Sequence, residues 1–177
     1  MVLLSSCQST PKAKPDLQNQ SSTVVAHGYA LLFDLMGDES NVSKLLIIKR
    51  EHKVLQGLVK EISKTCGEAH KRLKDFGKMD RALNLKDQGL PPAEVAARKA
   101  IGKTKAKALL TDHGKDFEIQ LLLSQSEALT YGSHLALITA EADGNPQQAQ
   151  FLRELSQELT RLQANVVAMI SAHYSWQ

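Results

Sequence analysis

Residues 42–77 read VSKLLIIKREHKVLQGLVKEISKTCGEAHKRLKDFG, and the spacing of the apolar positions decides the fold class. Leu45, Ile48, His52, Leu55, Val59, Ile62, Cys66, Ala69, Leu73 and Phe76 follow one another at alternating intervals of three and four. That interval places every one of them on a single face of an α-helix. His52 is the one clearly polar member. One helix over 42–77 would be about 54 Å long at 1.5 Å per residue. Such a length belongs to bundles and coiled coils rather than to isolated globular helices.

Working outward, a second stripe runs Phe117, Leu121, Ser124, Ala128, Tyr131, Leu135, Ile138 and Ala142, and Gly144 follows it as a stop. A third runs Leu152, Leu155, Leu159, Leu162, Val166, Met169 and His173. Between them Asn145 is placed to cap the next helix and Pro146 to occupy its first position. So short a connection forces the two helices antiparallel. Residues 92–111 read as a further helix, opened by Pro91, Pro92 and Glu94, with a weaker, Ala-rich face. The segment 24–36 is apolar and helical in pattern, and Gly37, Asp38, Glu39, Ser40 and Asn41 then offer a break with several N-cap candidates. No segment alternates as strands do. The expectation is all-α: an up-and-down four-helix bundle, with 24–36 as an extra N-terminal element and the bundle domain covering 24–177.

Composition agrees. The 177 residues suit one domain, with 42% hydrophobic and 5% aromatic residues, so Leu, Ile, Val and Ala must fill the core. Two cysteines exclude a disulfide scaffold and a four-Cys zinc site. The net charge of +3 conceals an asymmetry: 44–78 carries ten basic and four acidic residues, and 116–158 seven acidic and one basic. Basic and acidic helices placed side by side complement each other and help select neighbours. The lysines have no interleaved aromatics, so no nucleic-acid partner is expected.

At the N-terminus Leu4-Ser5-Ser6-Cys7 follows an apolar start, and the polar, Pro-containing stretch 8–23 reads as a flexible tether. This arrangement resembles the lipobox of bacterial lipoprotein signal peptides. The resemblance implies that 1–7 is the remnant of a signal, that Cys7 is lipidated, and that the domain faces the periplasm. Gln8 resembles the residue that directs retention at the outer membrane. The folded part, with Glu68-Ala69-His70, Leu90-Pro91-Pro92, Asp116-Phe117, His134 and Glu141, resembles a ferritin-like family of exported bacterial proteins of unknown function. That likeness covers roughly 42–170.

No Glu is followed three residues on by His, so the carboxylate–His pairs of a di-iron site are missing. A looser set remains. Gln120, Glu127, His134 and Glu141 recur every seven residues, and His70 stands one turn from Cys66. If their edges meet, His70, Glu127 and His134 could hold a divalent metal with nitrogen and oxygen ligands. The plainer reading is polar edge contacts. Cys66 with His70 could form a thiolate–imidazole pair, although a seam cysteine is ordinarily a packed small hydrophobe. Capping explains Asp112, nothing demands a role for His113, His27 and His173 fall near helix ends, and Tyr174 and Trp176 suit docking of the C-terminus. No cofactor and no catalytic constellation are expected. The sequence therefore favours a non-enzymatic, lipid-anchored binding or structural protein of the bacterial envelope. The alternatives are a ferritin-like metal binder and a coiled-coil-like module pairing with another copy or a protein partner.

Overall fold

The computed structural model describes residues 17–48 and 53–174, with side chains over 21–46 and 53–172. Helix α1 spans Leu17–Glu39, a 3-10 turn Val42–Lys44 leads into the single turn α2 at Leu45–Ile48, and α3 spans Lys53–Met79. Helix α4 spans Pro92–Thr111, α5 Gly114–Ala142 and α6 Pro146–Tyr174. Among the described residues every regular element is helical.

The long seam is buried as its spacing predicts. Leu55, Val59, Ile62, Cys66, Ala69, Leu73 and Phe76 are each at most 4% exposed. The helix expected over 42–77 opens as a 3-10 turn before α2, and residues 49–52 between α2 and α3 lie outside the described residues. His52 lies outside the described residues. Helix α1 begins at Leu17, inside the stretch expected as a tether, so helix extends back from 24 over 17–23. Ser21, Ser22 and Thr23 there are exposed. Adding turns to a helix already held by packing costs little, so polar residues can continue it without burial.

Two helices exchange the roles the sequence suggests. Residues 92–111 form α4, but none of its side chains is buried. The segment 24–36 supplies Tyr29, Ala30, Leu32 and Met36 to the core, each at most 1% exposed. Thus α1 is a core helix and α4 the accessory one. We expect backbone amides of α4 to show at least ~10-fold weaker hydrogen-exchange protection than those of α5, because few apolar contacts oppose its local opening. Equal protection would contradict this packing.

Contacts fix the directions. Tyr29 meets Phe76, Phe33 meets His70, and Ser40 meets Ser63, so α1 and α3 run antiparallel. Gly28 lies against Thr139 and Glu39 against Gln125, so α1 and α5 do as well. Phe76 meets Phe151 and Glu61 meets Arg161, giving the same relation for α3 and α6. Helices α3 and α5 therefore point the same way, and the connection 80–113 carries the chain back between them, so these four helices do not follow the up-and-down order expected.

The turn into α6 is built as expected. Asn145 Oδ1 accepts from the backbone N–H of Gln147 at 3.0 Å and of Gln148 at 3.3 Å. Two otherwise orphaned helix donors are thereby satisfied.

Helix α5 departs from expectation in its phase. Tyr131 and Ile138, read as seam residues, are 38% and 54% exposed. The buried face instead carries Leu122, Gln125, Leu129, Gly132, Ser133, Ala136, Thr139 and Ala140. The cause is proximity to α1. A Cβ on Gly28 would sit 2.9 Å from Thr139 Cγ2, and one on Gly132 would sit 3.0 Å from Leu35 Cδ2. Small residues let the two helices close on each other, so the tight face is not the one with the largest side chains. Gly28→Val is expected to lower stability by about 2–3 kcal/mol through overpacking, read from urea unfolding. A loss below ~0.5 kcal/mol would mean the helices can separate at no cost.

Candidate ligand-binding cleft

Helix α4 rests on α5 largely through long polar side chains, with Leu109 near its end partly buried against the core. The Arg98 guanidinium lies 5.5 Å from the centre of the Tyr131 ring, and Lys105 forms an ion pair with Glu127. Arg98 also donates to Glu94 at 2.8 Å within its own helix. These side chains hold the α4 backbone away from the core. Beneath it, between the end of α1, the turn that follows and α5, is a cleft of about 640 Å³. A second hollow of about 460 Å³ shares Asp38, Arg98, Gly102 and Tyr131 with it. The opening thus continues along the underside of α4. Its size is that of an ordinary small-molecule site.

The walls are apolar where Val42, Leu45, Leu109, Leu121 and Ala128 face one another. At the floor, the Gln125 side-chain amide donates to Glu39 Oε2 at 2.7 Å. Gln125 is 2% exposed, and its Oε1 has no hydrogen-bond partner. A buried acceptor left unpaired costs roughly 1–3 kcal/mol. Burial pushes the Glu39 carboxyl up to about 7, opposed by the Gln125 hydrogen bond, reinforced by Asp38 and opposed again by Lys105. Asp38 is also raised, first by burial and then by Asp34. The cleft therefore carries two carboxyl groups, Glu39 half-buried at its floor and Asp38 exposed beside it.

No protein-family model, curated protein or solved structure matches this chain. The reading of the site rests on its own geometry.

The metal candidates are not gathered. His70 Nδ1 is 2.9 Å from the Phe33 carbonyl oxygen, and its ring stacks on Phe33 with centroids 4.1 Å apart. Glu127 is exposed and paired with Lys105 at the cleft margin, and His134 is exposed further along α5. Among the described residues no three His, Cys, Asp or Glu side chains are placed to share a metal ion. The edges that would have to meet do not, because the phase of α5 turns His134 outward.

Cys66 is fully buried in the α3 seam. Burial pushes its thiol up to about 12, with the Glu39 charge adding to the effect. It is a packed thiol without thiolate character at neutral pH, and the His70 ring nitrogen described above is engaged with Phe33. His27 packs over Gly89, which adopts a left-handed φ of 63°. Cys7 and Trp176 lie outside the described residues, as do the side chains of His173 and Tyr174.

Glu39 and Gln125 were not singled out by the sequence pattern. Glu39 reads as part of a break, yet α1 continues through it. Gln125 carried a usable signal: it stands four residues from both Leu121 and Leu129, a polar side chain in an otherwise apolar row.

Proposed function

We propose that this chain is a small-molecule-binding protein of the bacterial envelope, anchored through a lipidated Cys7 and acting without catalysis. The observation that carries the binding role is the cleft under α4, with apolar walls and an unpaired acceptor at its floor. Pockets that recognise ligands combine these two properties. The domain is read as a ferritin-like four-helix bundle of α1, α3, α5 and α6. Support comes from the antiparallel contacts and the single long return between α3 and α5, since ferritin-like bundles use one such crossover. The lipobox-like Leu4-Ser5-Ser6-Cys7 supports the anchor. Acyl chains contribute about 0.8 kcal/mol per buried methylene, so stable attachment needs more than one chain.

Titration with Nile red, an uncharged apolar fluorophore, tests the binding role. Saturable binding at one site is expected, weakened at least ~10-fold by Ala128→Trp, which fills the cleft. Equal affinity in that variant would overturn the assignment. For the anchor, palmitate labelling in cells should depend on Cys7. Unchanged membrane partition of Cys7→Ala would overturn it.

A further inference from the structure

We infer that the cleft under α4 takes an organic cation, a protonated amine bearing an apolar chain, with its N–H donors directed to Glu39 and Gln125. This rests on the cleft being the binding site. Three observations select the ligand class.

The first is the surplus of acceptors. Glu39 offers a carboxylate of which one oxygen is used by Gln125, and Gln125 Oε1 has no donor. An ammonium group carries several N–H donors and can serve both. The second is the distribution of charge. The cations at the cleft are already engaged, Arg98 with Glu94 and Tyr131 and Lys105 with Glu127. Among the described residues neither Asp38 nor Glu39 has an ion-pair partner. An anionic ligand would meet the half-buried Glu39 carboxyl and the exposed Asp38 carboxyl beside it, whereas a cation would compensate them. The third is the wall. Leu45, Leu109 and Ala128 offer apolar surface for an alkyl chain of a few methylenes, whose burial favours binding.

Hexylammonium, hexanoate and hexanol share one chain and differ in the head group, which separates the contributions. Calorimetric titration at pH 8 is expected to give hexylammonium the tightest binding, by at least ~10-fold over both others. Glu39→Gln should reduce that advantage at least ~10-fold and leave hexanol unchanged, while Ala128→Trp should weaken all three. Circular dichroism of each variant confirms the fold. If hexanoate or hexanol binds as tightly as hexylammonium, or if Glu39→Gln has no effect on hexylammonium, the amine specificity falls and the cleft remains. If none of the three binds and Nile red is also indifferent to Ala128→Trp, the cleft itself is not the site and both readings fall.

Discussion

Phe76→Ala is expected to destabilise the fold by about 3–5 kcal/mol, the largest loss from any single substitution considered. Phe76 is 1% exposed and stands where three helices meet. Its ring contacts Tyr29 of α1 edge-on at 6.2 Å and Phe151 of α6 at 5.4 Å, and Arg72 lies 4.7 Å over its face. Removing the ring leaves a cavity that neighbours on separate helices cannot jointly fill. It also strips an aromatic face from each partner, and such pairs contribute beyond their buried area. Phe76→Leu, which keeps most of the volume, should cost much less. Urea midpoints at constant slope measure both. A loss under ~1.5 kcal/mol for the alanine variant would mean this end of the helices is loosely packed.

Glu39→Gln is expected to stabilise the protein at pH 8 by about 2–3 kcal/mol and to change little at pH 4. The sign follows from proton binding. The folded carboxyl titrates at about 7 and the unfolded one near its ordinary 4.5. Between those values the native state holds the extra proton, so stability falls as pH rises through the window. The full penalty of a poorly solvated charge is present above it. Glutamine keeps the shape and can still accept from Gln125, yet has no charge to bury. The difference between parent and variant cancels other titrations, including the smaller shift of Asp38 in the same direction. An identical difference at pH 4 and pH 8 would show that Glu39 titrates normally.

These two residues mark what was legible in the sequence. Phe76 belongs to a seam spaced at three and four residues, and the α3 seam over 55–76 and the α6 seam over 152–166 are buried as spaced. Helix α5 resisted the same reading because it serves two neighbours. Its close approach to α1 runs through Gly132 and Thr139, residues that hydropathy does not flag. The stripe read from Phe117 to Ala142 therefore included exposed Tyr131 and Ile138. The same error hid the place of α1, whose approach depends on Gly28. The metal candidates were placed at the edges of the seams, so an α5 seam drawn out of phase carried its edge residues with it, and His134 is exposed. The cleft was harder still. Glu39 and Gln125 are 86 residues apart, and periodicity within one helix cannot predict a hydrogen bond between two.

Because α3 and α5 are parallel, the core helices form two hairpins, α1 with α3 and α5 with α6, and the second must begin at the end where the first one turns. Helix α3 has 27 residues and is about 40 Å long. An extended strand gains at most about 3.6 Å per residue, so at least ~11 residues are needed to cover that distance. A four-residue loop would reach about 14 Å and would leave each first hairpin to be completed by the second hairpin of another copy. The length of 80–113, more than its amino-acid identity, is what lets one chain close on itself.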